Sequence, residues 1–250
     1  MTASIGSNGR VAERPLSVAL LECDHVDPEV RHVAGDYGDM FAHLFSTHAP
    51  EVVLDHVDVV GGAPLPDLRA HDGIVISGSR RSVDDDLPWI HDLAKLLVGA
   101  HEAEIPVIGI CFGHQLIAQA LGGRVDRAPV GWGVGVHRAT VTAPRPWMTP
   151  SADGFDLLVS HQDQVTAVPA GGTVLATSEH APVAAFEVGS LLGFQGHPEF
   201  VADYADALMA RRVERIGMEA IERARATLTR PTDHAIVARW ISRFFGDARR

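Results

Sequence analysis

Residues 105–123, IPVIGICFGHQLIAQALGG, contain the pattern that decides the fold of this chain. An apolar run at residues 106–110 has the length and composition of a buried strand, and the apolar spacing after the following turn is that of a helix. Strand, sharp turn and helix in this order predict an elbow that exposes the side chain at its bend. Cys111 occupies the bend, and Gly109 and Gly113 relieve the crowding that such a turn creates.

The predicted position of Cys111 also favours its ionised form. At the first turn of a helix the backbone presents free N–H groups and the positive end of the helix dipole, and both stabilise a thiolate. Only a few per cent of an ordinary cysteine is ionised at neutral pH, so rapid attack needs this assistance or a nearby base. We therefore predict that Cys111 is a nucleophile and not a buried structural cysteine.

The base for this nucleophile is predicted in GHPE, residues 196–199, directly after an apolar strand at residues 191–194. Pro198 restricts the backbone between His197 and Glu199, so that both side chains can emerge on one side of the strand end. In that arrangement the carboxylate orients the imidazole, and the imidazole transfers protons. Among the 14 histidines of the chain, His197 is therefore the predicted acid and base.

Outward from the elbow, the order of strand-like and helix-like segments predicts an α/β fold. In residues 16–123 short apolar runs alternate with helical patterns, and this implies parallel strand pairing because a parallel crossover usually contains a helix. From Gly131 onward strand-like runs follow one another with short turns, and the last fifth of the chain is again helical. We expect a mostly parallel central sheet, a strand-rich second half and C-terminal helices.

The chain contains no linker long enough to separate independent domains. We expect a flexible leader at residues 1–14, a main domain at residues 15–200, and a helical extension at residues 201–250 that packs on the same domain. Gly217 predicts a break within that extension.

The composition argues against several classes of partner. A net charge of −11 and an isoelectric point near 5.6 disfavour non-specific attraction to nucleic acid or to an anionic membrane. Residues 211–250 are locally basic, with ten Arg against five acids, and we interpret them as a solvated surface that pairs with the acidic body; a docking surface for a partner chain is the alternative. Two cysteines and the lack of a signal or membrane-spanning run favour a cytoplasmic protein with small-molecule or protein partners.

Four motifs together resemble class I glutamine amidotransferases. GICFGHQ matches the Gly-x-Cys-x-Gly-x-Gln nucleophile motif of that family, and GFQGHPEF resembles its strand ending in His-Pro-Glu. IVISGSRRSV is similar to the loop that supplies one oxyanion contact, and VSHQDQV to the Ser-His-Gly-Asp-x-Val segment of GMP synthetase glutaminase domains. The resemblance covers residues 15–200, with the motifs in the family's order.

The resemblance implies a role for each matching residue. Three positions form the catalytic set: the nucleophile Cys111, the acid and base His197, and its orienting partner Glu199. The backbone N–H of Phe112 and one at Gly78 or Ser79 would hold the oxyanion, because that role requires donors aimed where negative charge develops. This loop has Ser-Gly-Ser-Arg where the family often has Gly-Gly-Pro, so the second donor stays open between Gly78 and Ser79.

Further implications concern the substrate and the fold. The γ-glutamyl head group would contact Gln115, Ser160, His161 and Gln162. The family has a flavodoxin-like three-layer α/β sandwich and needs no cofactor or metal for this chemistry. Cys23, near the end of the first strand, has no supporting motif and is interpreted as structural.

The implied activity is that of a glutaminase. Thiolate attack on the γ-amide of glutamine would release ammonia and leave a γ-glutamyl thioester, which water would then hydrolyse to glutamate. The ammonia would be passed to a separate synthetase subunit. One alternative is a stand-alone γ-glutamyl hydrolase that acts on γ-glutamyl peptides or amines; another is a catalytically silent regulatory or binding subunit.

Two other cysteine enzyme types fit the motifs less well. In α/β hydrolases the acid precedes the histidine, whereas Glu199 follows His197 by two residues. In a related intracellular protease fold a histidine follows the cysteine, and Phe112 stands there in this chain.

Overall fold

The computed structural model describes residues 14–249, so the leader predicted at residues 1–14 lies outside the described residues except for Arg14. In chain order the elements are β1 (Leu16–Glu22), α1 (Arg31–Ala34), α2 (Tyr37–His48), β2 (Val52–Asp58), β3 (Gly73–Ile76), α3 (Pro88–Glu102), β4 (Val107–Ile110), α4 (Phe112–Ala120), β5 (Arg124–Arg127), β6 (Gly133–Val141), β7 (Gly154–His161), β8 (Asp163–Ala167), β9 (Thr173–Ser178), β10 (Ala185–Val188), β11 (Leu191–Phe194), α5 (Ala202–Arg211), α6 (Val213–Ile216), α7 (Met218–Arg225) and α8 (His234–Ala248).

A nine-stranded sheet forms the centre of the structure, in the order β2-β1-β3-β4-β11-β10-β9-β6-β7. Neighbouring strands are parallel from β2 to β11 and antiparallel from β11 to β7. The predicted α/β fold and its strand-rich second half are confirmed. The strands β5 and β8 form a separate two-stranded antiparallel sheet; the sequence patterns predicted β8 but neither β5 nor the short helix α1.

Helices cover both faces of the sheet and produce three layers. On one face, α2 and α8 contribute the aromatic side chains Phe41, Phe45, Trp240 and Phe245, all of them buried. On the other face, α3 and α4 contribute the aliphatic side chains Leu93, Leu97, Leu116 and Ile117. Burial of a large apolar side chain contributes roughly 1.5–3 kcal/mol, so these two clusters hold the sheet between its helices.

The C-terminal helices pack against the rest of the chain. Trp240 of α8 is fully buried, and its indole Nε1 donates a hydrogen bond to the carbonyl oxygen of Pro150 at 2.9 Å. Gly217, with φ of +88°, separates α6 from α7, so the break predicted there is confirmed. Among residues 14–249, no helix combines the length and the apolar character needed to cross a membrane.

Candidate active site

The turn between β4 and α4 has the geometry of an elbow. Cys111 adopts φ 50° and ψ −95°, a conformation that costs a non-glycine residue roughly 1–3 kcal/mol. Strand and helix approach so closely that a Cβ on Gly109 would lie 2.2 Å from the carbonyl carbon of Gly113, and one on Gly113 would lie 2.6 Å from the carbonyl oxygen of Ile76. Only glycine fits at these two positions, and the crowding fixes Cys111 at the carboxyl end of the sheet.

The thiol of Cys111 is buried and lies beside a glutamine that the sequence patterns did not indicate. Gln195 Nε2 lies 3.5 Å from Cys111 Sγ, and Gln195 Oε1 accepts a hydrogen bond from Gln115 Nε2 at 3.3 Å. The chain bends at residues 195–196, directly after β11, so strand alternation in the sequence carried no signal for Gln195.

His197 and Glu199 form a buried pair. His197 Nδ1 lies 2.7 Å from Glu199 Oε1, and both side chains are about 4% exposed or less. The backbone N–H of His197 donates to the carbonyl oxygen of Leu158 at 2.8 Å, and the Phe200 ring stacks on the imidazole at 3.9 Å between centroids. These contacts fix the ring in one orientation, with Nδ1 committed to the carboxylate.

The electrostatics of this pair favour the imidazolium. Burial alone would lower the pKa of His197, but the carboxylate of Glu199 and the neighbouring Cys111 outweigh it and raise the pKa to about 10. A charged His197 next to Cys111 is a proton donor held at the site.

The loop after β3 places backbone donors beside these side chains. A Cβ on Gly78 would lie 2.8 Å from Cε1 of His197 and 3.8 Å from Cβ of Cys111, so the loop passes directly over both. The backbone N–H of Arg80 is already used, since it donates to Asp24 Oδ2 at 2.8 Å. The N–H groups of Gly78 and Ser79 have no acceptor within residues 14–249, so the structure leaves both available as the second donor.

On the helix side, the first intrahelical bond of α4 runs from the N–H of Gln115 to the carbonyl oxygen of Cys111 at 3.0 Å. The N–H of Phe112 precedes it and has no acceptor within the helix.

The residues predicted to contact the head group lie around one cavity with Cys111. This cavity has a volume of about 410 Å³, and its wall includes six of the residues singled out from the sequence: Ser79, Cys111, Gln115, Ser160, His161 and Gln162. Gln115 Nε2 donates to the carbonyl oxygen of Asp163 at 2.7 Å, which joins α4 to the segment after β7. Burial, together with the neighbouring His180, lowers the pKa of His161 well below its usual range, so this ring is neutral.

Cys23 lies outside this arrangement. It is buried, its backbone N–H donates to Ser77 Oγ at 2.9 Å, and burial raises the pKa of its thiol. A thiol of this kind is a poor nucleophile.

One group of side chains in residues 14–249 has metal-ligand atoms within 4.8 Å of one another, namely Glu22, His25 and Asp58. These atoms already pair among themselves, with His25 Nε2 at 3.1 Å from Asp58 Oδ1. Glu22 in turn accepts a hydrogen bond from the N–H of Gly38 at 2.9 Å. Polar contacts within the group and to the backbone therefore account for these three side chains.

Comparison with known proteins agrees with the four motifs. The family model for class-I glutamine amidotransferases matches residues 46–214. γ-Glutamyl peptidase 5 of Arabidopsis thaliana is 32% identical over 208 residues, which cover 80% of this chain and 82% of that protein. One subunit of a glutamine-hydrolysing GMP synthase from Saccharolobus solfataricus is 31% identical over 165 residues, which cover 65% of this chain and 86% of that subunit.

A solved structure supports the fold. The crystal structure of a glutamine amidotransferase from Thermotoga maritima superposes with a TM-score of 0.71 at 21% identity, and the alignment covers 93% of this chain and 96% of that one. Together with the matched family model, these similarities establish that the chain belongs to the class I glutamine amidotransferase family.

Proposed function

We propose that the chain hydrolyses the γ-amide bond of glutamine or of a γ-glutamyl compound, with Cys111 as nucleophile, His197 as acid and base, and Glu199 as the group that orients His197. The observation that carries this proposal is the strained turn that holds the thiol of Cys111 beside a buried imidazole paired with a carboxylate. Such strain and such buried charge are costly for stability and are typical of functional sites.

In the first half of the reaction the thiolate of Cys111 attacks the γ-carbonyl carbon, and the carbonyl oxygen becomes an oxyanion. The backbone N–H of Phe112 and one at Gly78 or Ser79 stabilise that charge, an effect worth roughly 2.7–4 kcal/mol per donor in a related kind of site. The imidazolium of His197 then protonates the leaving nitrogen, and the C–N bond breaks to release ammonia or an amine.

In the second half a water molecule completes the hydrolysis. Neutral His197 takes a proton from the water molecule while the water oxygen attacks the carbonyl carbon of the γ-glutamyl thioester. The C–S bond then breaks, which releases glutamate and restores the thiolate and imidazolium. Glu199 keeps Nδ1 of His197 protonated throughout, so that the other ring nitrogen is the one that exchanges the proton.

The two versions of this activity differ in the leaving group. Ammonia would be passed to a separate synthetase subunit, a proposal supported by the similarity to one subunit of a GMP synthase. An amine larger than ammonia needs space next to Cys111, and the cavity of about 410 Å³ falls in the range of roughly 300–1,000 Å³ typical of sites for larger ligands. This space, together with the similarity to a γ-glutamyl peptidase over most of both chains, supports γ-glutamyl peptides or amines as the substrates rather than glutamine.

Measurement of kcat/KM on the purified chain decides between the versions. We expect hydrolysis of a γ-glutamyl dipeptide at least as fast as that of glutamine, and no hydrolysis of either by the Cys111→Ala variant. A clear preference for glutamine, with acceleration when a synthetase is added, would support ammonia transfer instead. Turnover by Cys111→Ala at the wild-type rate would refute the catalytic proposal itself.

A further inference from the structure

Two arginines from the C-terminal segment reach the wall of the cavity that contains Cys111. Arg212 follows α5, and its Nη1 donates to Ser160 Oγ at 3.2 Å. Arg215 lies in α6 and stacks over the ring of Trp132, with its Cζ at 5.4 Å from the ring centroid. Both guanidinium groups are thus held in place on one side of the cavity, at some cost in side-chain entropy.

These two arginines differ from the others in the same wall. Each of the other three arginines has a carboxylate nearby: Arg80 pairs with Asp24 at 2.8 Å, Arg127 lies 3.6 Å from Asp163, and Arg81 lies 3.9 Å from Asp85. Neither Arg212 nor Arg215 forms an ion pair within the part of the chain that the structure describes. In a protein with a net charge of −11, two adjacent arginines without a carboxylate partner, facing a cavity, indicate a site for an anion.

The chemistry of the guanidinium group indicates which class of anion the site binds. Its planar set of donors matches a carboxylate, which it binds with two parallel hydrogen bonds. The γ-glutamyl half of the substrate has its own contacts, proposed at Gln115 and residues 160–162.

Resting on the proposed function, we propose that Arg212 and Arg215 bind a carboxylate carried by the amine side of a γ-glutamyl substrate. The substrate class is then a γ-glutamyl amino acid or peptide with a free C-terminal carboxylate, and its hydrolysis yields glutamate and that amino acid or peptide. Trp132 positions Arg215 by stacking against it.

Two substrates that differ only in this charge provide the test: γ-glutamyl-alanine and its C-terminal amide. Wild-type protein should hydrolyse the acid with kcat/KM at least about tenfold above that of the amide, the lower end expected for one hydrogen bond to a charged group. Arg215→Gln should reduce that ratio about tenfold. Arg223→Gln is the matched control, because Arg223 is exposed in α7, pairs with Glu219 and does not line the cavity; it should leave the ratio unchanged.

Three outcomes would overturn the inference. One is a wild-type ratio near one, and another is an unchanged ratio in both Arg215→Gln and Arg212→Gln. The third is an equal loss by these variants on the acid, the amide and glutamine, since that would place the arginines at the carboxylate of the glutamyl half.

A binding measurement separates this inference from the proposed function. Calorimetric titration of the Cys111→Ala chain with the acid and with the amide requires no turnover. If wild-type protein hydrolyses neither compound, the proposed function fails, while tighter binding of the acid that is lost in a Cys111→Ala, Arg215→Gln double variant still supports the carboxylate site. Equal binding of the acid and the amide would overturn it.

Discussion

Replacement of Glu199 by Gln should move the alkaline limit of activity to lower pH. The carboxylate of Glu199 lies 2.7 Å from His197 Nδ1 in a buried site, and it is the main group that raises the pKa of His197 to about 10. Glutamine preserves the size of the side chain and a hydrogen-bond acceptor but removes the charge. The imidazolium then loses its principal electrostatic partner.

The size of the shift expected for Glu199→Gln follows from the raised pKa of His197. A value of about 10 in place of 6.5 means that the folded protein favours the imidazolium by roughly 5 kcal/mol, at about 1.4 kcal/mol per pKa unit. This value includes the contribution of Cys111, so removal of Glu199 alone should lower the pKa of His197 by at least about one unit. Burial then acts unopposed by the carboxylate and lowers it further.

The assay is the pH dependence of kcat/KM for a γ-glutamyl substrate with a chromogenic amine, for wild-type, Glu199→Gln and the exposed control Glu219→Gln. The wild-type upper limb should lie near pH 10, because it reports loss of the imidazolium proton in the free enzyme. Glu199→Gln should bring that limb at least about one pH unit lower, and Glu219→Gln should not move it. An upper limb at the same pH in all three proteins would refute the assignment of Glu199.

The free energy of unfolding should also depend on pH through the raised pKa of His197. Because the pKa of His197 is raised on folding, its contribution to the free energy of unfolding is complete below about pH 6.5 and is lost as the pH rises through about 10. Denaturant unfolding of wild-type protein should therefore show a steeper loss of stability over this interval than Glu199→Gln does.

Three further predictions concern the surroundings of Cys111. Gly78→Ala should lower kcat/KM about a hundredfold with little change in unfolding temperature, because the new Cβ would lie 2.8 Å from Cε1 of His197 and displace the ring; a rate within twofold of wild type would contradict the close approach. Cys23→Ala should retain near-wild-type kcat/KM, and a loss as large as that of Cys111→Ala would place Cys23 in the site. Cys111→Gly should have a free energy of unfolding about 1 kcal/mol above that of Cys111→Ala, because glycine relieves the backbone strain at φ 50°; equal denaturation midpoints would argue against that strain.

Local patterns were sufficient to predict the fold and the elbow. The strand, turn and helix around Cys111 depend on residues that are adjacent in the chain, and the structure places the residue at φ 50° between β4 and α4. His197 and Glu199 are likewise close in the chain, in the segment that follows β11. The residue pattern of GHPE already singled out His197 as the base for Cys111, 86 residues away in sequence, and the family resemblance agreed with it. The approach of the two segments depends on the long-range pairing of β4 with β11.

The two cavity arginines, Arg212 and Arg215, could not be predicted from the sequence because their positions depend on long-range packing. The ten arginines after residue 210 were interpreted as a solvated surface, and Arg211 does pair with Asp27 and Glu29 at 3.0 and 2.6 Å. Arg212 and Arg215 lie on the same segment yet line the cavity, where Arg212 contacts Ser160 and Arg215 stacks on Trp132. Composition and periodicity carry no information about which arginine of such a segment faces inward.

The most direct test of the central claim is peptide mapping by mass spectrometry after inactivation with a chloroketone analogue of glutamine. The thiolate displaces chloride and forms a stable thioether, so the label records which residue attacks at the γ position. We predict one label per chain, on Cys111, with loss of activity in proportion to labelling and with excess glutamine slowing both. A label on Cys23 or on another side chain, or full activity in chains labelled at Cys111, would contradict the assignment of Cys111 as the nucleophile.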